Sequence, residues 1–102
     1  MKIKINEKLK GVDGVEVLKG DKGIPLTFKD ICINALLTPE QGDDDKKKWD
    51  KYEVFKKVRD GKDTVELKVE DITLIKKCIG KTSPPLVMGQ CWEILERNGK
   101  DS

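Results

Sequence analysis

Histidine is absent from this chain of 102 residues. Its absence removes the side chain that titrates closest to neutral pH, the commonest nitrogen ligand for metals, and every Ser-His or Cys-His dyad. Most hydrolytic mechanisms go with it. Asp, Glu, Cys and Lys can still catalyse, but paired carboxylates such as Glu70-Asp71 are consecutive and so do not face one another across a substrate. No catalytic residue is assigned, and a non-enzymatic protein is expected.

Long apolar runs are missing too. No window is apolar enough for a bilayer span, and Met1-Lys2-Ile3-Lys4-Ile5 alternates where a signal peptide needs an unbroken stretch. A soluble, unexported chain working in the cytoplasm is expected, with no membrane partner. Nor does one sign of charge dominate. The 21 Lys and Arg stand against 19 Asp and Glu, a net +2, far from the surplus of a protein that binds nucleic acid by releasing counterions. The three cysteines, Cys32, Cys78 and Cys91, are odd in number and have no C-x-x-C spacing. Each lies among Ile, Leu or Val in a helix-like segment, which favours buried thiols in a reducing compartment over a metal site or a reactive thiol. No metal ligand and no cofactor is assigned.

What the chain does contain is periodicity. Only 36% of its residues are hydrophobic and 39% are charged, yet Leu, Ile, Val, Phe and Trp recur at regular spacing, as a folded chain requires. One globular domain over 1–97 is expected, large enough to bury roughly 60–70% of its unfolded surface, with a polar C-terminal tail over 98–102.

Lys2 to Ile5, Val15 to Leu18 and Ile24 to Leu26 read as short extended segments, the last two joined by a Gly20-Asp21-Lys22-Gly23 reversal. Thr27 with Asp30 is a capping pair for a helix from Phe28 to about Leu37, ended by Pro39 and Gly42. Asp43, Asp44 and Asp45 precede a second helix to about Asp60, with Gly61 as its stop and Trp49, Tyr52, Phe55 and Val58 recurring every three residues as the expected buried stripe. Val65, Leu67 and Val69 alternate as a strand. A third helix follows from Glu70-Asp71 to a stop at Gly80, and a fourth opens with Ser83 as cap and Pro84 at its first helical position. The fold class is therefore α+β: an N-terminal β-hairpin or small antiparallel sheet packed with about four helices.

An internal echo runs through this plan. Leu26-Thr27-Phe28-Lys29-Asp30-Ile31 and Leu67-Lys68-Val69-Glu70-Asp71-Ile72 align at strand-to-helix junctions, each followed by two helices. Either the chain is a strand-helix-helix pseudo-repeat, or such a junction has few good solutions and two of them look alike.

Three motifs touch on chemistry. Gly80-Lys81-Thr82 ends like a phosphate loop, but Ile75 stands where the first glycine belongs and a helix precedes it. Asp43, Asp44 and Asp45 lack the alternation of a calcium loop, and a helix dipole accounts for them. Lys46, Lys47, Lys48, Lys51, Lys56, Lys57 and Arg59 interleave with Trp49, Tyr52 and Phe55 like a nucleic-acid-binding helix, but Asp43, Asp44, Asp45, Asp50, Glu53 and Asp60 offset six of those seven positive charges. Met88 and Trp92 flank the Val87, Cys91 and Leu95 stripe, either as core on a wide face or as a soft patch for a partner.

The phrases Leu26 to Leu37, Glu66 to Ile72 and Pro85 to Glu96 together resemble small proteins encoded in tailed phages and prophages, with Lys68-Val69 standing where a Ser/Thr-rich cap would be expected. That resemblance implies an accessory or assembly protein of a bacterial host cell and carries no functional residue with it. The expected function is a protein-protein interaction or assembly module whose partner is a second copy, a phage component or a host component. Aromatic and methionine side chains exceed what four short stripes require, so Trp49, Tyr52, Met88 and Trp92 are the candidate contact residues. The alternative is a nucleic-acid-associated regulator using Lys46, Lys47, Lys48 and Lys51.

Overall fold

The chain opens as a strand whose partner comes more than half its length later. In the structure, a computed structural model that describes residues 1–100, β1 (Lys2–Lys4) pairs antiparallel with β2 (Thr64–Glu66), Ile3 opposite Val65. Backbone bonds continue the pairing at both ends, from Leu67 N to Met1 O at 2.8 Å and from Ile5 N to Asp63 O at 2.9 Å. Alternation decides the faces: Ile3 and Ile5 are buried, while Lys2 and Lys4 meet water. This small sheet and four helices, α1 (Phe28–Leu37), α2 (Asp45–Asp60), α3 (Val69–Thr82) and α4 (Pro85–Lys100), make an α+β fold in the order β-α-α-β-α-α.

Of the three extended segments expected near the N-terminus, Lys2 to Ile5 supplies β1, and the two around Leu18 and Leu26 close into a ring with a further segment around Leu9, which was not expected. Leu9 N–H donates to Leu26 O at 3.0 Å, Leu26 N–H to Leu18 O at 2.8 Å, and Leu18 N–H to Leu9 O at 2.8 Å. Each pair of segments shares one bridge, Lys8 with Thr27, Lys10 with Val17 and Lys19 with Pro25. Leu9 is buried, and Leu18 and Leu26 pack against the core. The Gly20 to Gly23 reversal forms as expected, with Lys22 and Gly23 at φ 61° and 73°. Gln90 of α4 pins the ring, its carboxamide pairing with Lys10 as a neighbouring strand would: Oε1 accepts from Lys10 N at 2.7 Å and Nε2 donates to Lys10 O at 2.7 Å.

Helix starts explain the echo. Thr27 and Asp30 form a complete capping box, Asp30 N donating to Thr27 Oγ1 and Thr27 N to Asp30 Oδ2. At α3 only half of the box exists. Asp71 Oδ2 accepts from Lys68 N at 3.0 Å, and the lysine side chain has no acceptor with which to reciprocate.

Four sequence-based boundaries need correction. The strand expected over Val65, Leu67 and Val69 ends at Glu66, and Val69 is already the first residue of α3. Gly80 does not stop α3, which runs on to Thr82, where Ser83 N–H bonds Ile79 O. Pro84, not Ser83, precedes α4: its carbonyl accepts from Met88 N at 2.9 Å, and Pro85 takes the first helical position. The helix also continues through Lys100, so it takes in the first part of the expected 98–102 tail, whose last residues, 101 and 102, lie outside the described residues.

The core gathers Phe28, Cys32, Ala35 and Leu36 of α1, Val54 and Val58 of α2, Ile75, Cys78 and Ile79 of α3, and Val87, Cys91, Ile94 and Leu95 of α4 around Ile3 and Ile5. Gly61 ends α2 as expected, but with φ −73°, so close approach and not a left-handed backbone demands glycine there. A Cβ at Gly61 would lie 2.8 Å from Thr64 O and 3.1 Å from Ile5 Cδ1, whereas one at Gly80 would reach only ordinary contact, 3.6 Å from the Trp92 ring. Gly61→Ala is therefore expected to destabilise the fold by about 1–3 kcal/mol through overpacking. Gly80→Ala should stabilise it by about 0.5–1 kcal/mol by removing helical glycine. Urea unfolding of the two variants side by side measures both signs, and a neutral Gly61→Ala would contradict the packing described.

Candidate functional site

The second helix turns a different face inward from the one its aromatic spacing suggests. Lys51, Val54 and Val58 are its buried residues, while Trp49 is 58% and Tyr52 43% exposed. The expected stripe fails for a geometric reason. At about 100° per residue, a three-residue repeat drifts by about 60° each step, so Trp49 lies about 180° around the helix from Val58. Only Phe55, nearest to Val58 on that spiral, packs partly against the core.

The outward aromatics form a continuous surface. Ring centroids are 5.9 Å apart for Trp49 and Tyr52 and 6.0 Å for Tyr52 and Phe55. Lys56 Nζ lies 5.3 Å from the Tyr52 centroid and the Arg59 guanidinium 5.4 Å from that of Phe55, both within cation-π range. Beside Tyr52, a groove of about 280 Å³ opens between the end of α1 and the start of α2, with Leu37, Pro39, Lys48 and Tyr52 on its walls. Leu37, at 52% exposed, extends the apolar surface across to α1.

Beneath this surface sits Lys51, which sequence reasoning placed among the nucleic-acid lysines. It is 6% exposed. Its ammonium donates to Asp43 Oδ2 at 2.7 Å, Glu40 Oε1 at 3.2 Å and, more distantly, Thr38 O at 3.5 Å. Glu40 also receives Lys81 at 2.8 Å. Burial alone would lower the Lys51 pKa, but the bonds to Asp43 and Glu40 prevail and raise it. Asp43 is held below its ordinary value by Lys51 first and the Glu40 N–H second. Glu40 is lowered by Lys81 first, then, against its desolvation, by Lys51. Lys51 is thus corrected from a candidate surface contact to a structural cation. The missed signal was the 51-54-58 spacing, which follows a true helical stripe and carries the lysine inward with two valines.

Lys46, Lys47 and Lys48 are exposed, as are Asp44, Asp45 and Asp50 around them. Met88 and Trp92 are half-buried on α4. Trp92 Nε1 donates to Lys76 O at 3.2 Å, and Lys76 Nζ lies 5.3 Å from the Trp92 ring. The helix carrying Met88 and Trp92 packs on β1 and α3, while α2 packs on α1 and β2. The structure therefore joins Trp49 with Tyr52 as one surface and sets Met88 with Trp92 in the α3–α4 seam.

The remaining motifs have structural employment. Asp44 caps α2, accepting from Lys47 N at 2.8 Å, while Asp43 turns to Lys51. Lys81 pairs with Glu40, and Thr82 Oγ1 donates to Cys78 O at 2.9 Å. All three thiols are buried: burial pushes Cys91 up to about 12, raises Cys78, and, with Cys91 nearby, lifts Cys32 well above the ordinary thiol range. Among the described residues no three His, Cys, Asp or Glu side chains converge as a metal-holding group, and no helix is long and apolar enough to cross a membrane.

No protein-family model, curated protein or solved structure matches this chain.

Removing the Lys51 charge should be felt throughout the fold. Lys51→Met is expected to cost about 3 kcal/mol, the lower end for breaking a buried ion pair, because Asp43 is left without its cation. Adding Asp43→Asn should recover part of that loss in denaturant unfolding, and a Lys51→Met protein as stable as the parent would contradict this account. The pH dependence follows from the signs. Asp43, Glu40 and Asp71, all lowered, contribute stability above the ordinary carboxylate range that is lost as pH falls through their folded values. Lys51, raised, contributes stability below its unfolded value that is lost as pH climbs through its folded one. Melting temperature should therefore decline below about pH 4 and again above about pH 9, first because the three thiols, raised in the fold, ionise more readily in the unfolded chain, and further above about pH 10.5 as Lys51 loses its proton; the acid decline should be shallower in Lys51→Met.

Proposed function

We propose that this chain is a non-enzymatic protein-protein interaction or assembly module of the tailed-phage and prophage type, acting in the cytoplasm of its bacterial host. The observation that carries the reading is the outward Trp49–Tyr52 pair. Aromatic residues are 5% of the sequence, and two of the largest stand in water on a rigid helix instead of in the core. Tryptophan and tyrosine are the side chains most enriched among residues that dominate binding energy, because they bury large areas with few rotatable bonds. Leu37 and Pro39 give the same surface a groove, and the lysines and acids around it supply a polar rim. The phrase-level resemblance over Leu26 to Leu37, Glu66 to Ile72 and Pro85 to Glu96 supports the phage assignment. For the nucleic-acid reading, burial of Lys51 leaves Lys46, Lys47 and Lys48, interspersed with acids.

The test is capture from phage-infected bacterial extract on immobilised chain, with Trp49→Ala/Tyr52→Ala as the control bait and sedimentation run alongside. A partner bound by the parent should fall by roughly tenfold or more on the control, whose changes lie outside the core. An empty parent bait together with a strictly monomeric chain, or capture indifferent to the double substitution, would count against the reading.

A further inference from the structure

We propose that α2 pairs antiparallel with α2 of a second copy of this chain, across a two-fold axis near Tyr52; this rests on the interaction-module reading and names the partner. The proposal comes from what the helix presents outward. At about 100° per residue, Asp45, Lys56, Asp60 and Glu53 lie within about 40° of Trp49, with Tyr52 and Arg59 on one flank and Lys46 on the other. Asp45, Lys46, Arg59 and Asp60 are all exposed, and Arg59 and Asp60, which bond each other at 3.0 Å within the chain, exchange that solvent-exposed pair for the intermolecular ones. The acid and base at the start of this ridge therefore meet their opposites when the ridge is read backwards from its end.

A two-fold axis perpendicular to the helices sets each flank against the same flank of the other copy and reverses the direction. Centred near Tyr52, it places Asp45 against Arg59 of the second copy on one flank and Lys46 against Asp60 of the second copy on the other. Both pairs form twice. Lys56 falls opposite Trp49 of the second copy, a cation over the best aromatic acceptor. Glu53 approaches its own counterpart near the axis, with Lys56 Nζ 3.2 Å away in each chain to offset the like charges. A parallel pairing would instead set Lys56 against Lys56 and align the two helix dipoles, so the charges select the antiparallel arrangement. The Leu37–Pro39 groove opens on the Tyr52 flank, which widens the apolar centre of the same interface.

Sedimentation velocity of the full chain over a wide concentration range, with thermal unfolding as the control for folding, tests the pairing. A concentration-dependent monomer-dimer equilibrium is expected, and Trp49→Ala should raise its dissociation constant by roughly tenfold or more. Asp45→Lys and Arg59→Glu should each weaken the dimer by about threefold or more, and both together in one chain should return it to near the parental value, since the reversed charges again face each other. A strict monomer at every concentration, or a dimer indifferent to Trp49→Ala, overturns the proposal. Charge reversals whose losses add instead of cancelling overturn it as well. A monomer that still forms a Trp49-dependent complex with another protein overturns self-pairing alone and leaves the interaction reading standing.

Discussion

A buried ammonium holds one end of this molecule together. Lys51 reaches the carbonyl of Thr38, the residue that caps the end of α1, and the acids of the following loop through Glu40 and Asp43, and Glu40 passes the connection to Lys81 at the end of α3. A charge taken out of water is tolerated only with partners of opposite sign and good geometry, and two carboxylates and a carbonyl meet that condition. The consequence reaches the surface. Side chains on a rigid helix keep fixed angles to one another, so turning Lys51, Val54 and Val58 inward obliges Trp49 to face out. Rolling α2 to bury Trp49 would carry Lys51 away from Asp43 and lift Val58 from the core, and no single rotation covers a stripe that spirals half-way around the helix.

Much of the local structure was legible because its causes are local. Thr27 with Asp30, Asp44 before α2 and the Gly20 to Gly23 reversal each act within a few residues, and each appears where its chemistry implies. What pairs with what was less legible. Strands as short as Lys2–Lys4 and Thr64–Glu66 carry alternation but no mark of their partner, and the ring through Leu9, Leu18 and Leu26 depends on main-chain bonds that any residue but proline can make. Glycine misled in one place. Gly80 reads as a helix stop, yet the helix tolerates it and continues. Gly61 reads the same way and does end a helix, but for lack of room beside Thr64 and Ile5.

The candidate surface was half legible. Trp49 and Tyr52 drew notice by their type, while the angular drift that exposes them was hidden by a spacing that imitates a stripe. Lys51 was assigned to the wrong side for the converse reason: lysine is so rarely buried that its place in line with Val54 and Val58 carried no weight against its charge.

The two Asp residues of the echo show how far similarity of sequence extends into similarity of role. Asp30 and Asp71 each accept the backbone N–H three positions earlier, which accounts for the shared letters by local chemistry alone. Asp71 does more. It takes Lys57 of α2 at 2.8 Å, and despite a burial that would raise it, Lys57 and the Lys68 N–H hold its carboxyl below the ordinary value. The first copy of the phrase therefore starts a helix, while the second starts a helix and also fastens α2 to it. With Lys51 anchored on the inner face of α2 and Lys57 tied to α3 from its side, the orientation of α2 is fixed by two cations, independently of Trp49 and Tyr52 on its outer face. The outer surface is thus free to be shaped by what it meets, because nothing in the core rests on it.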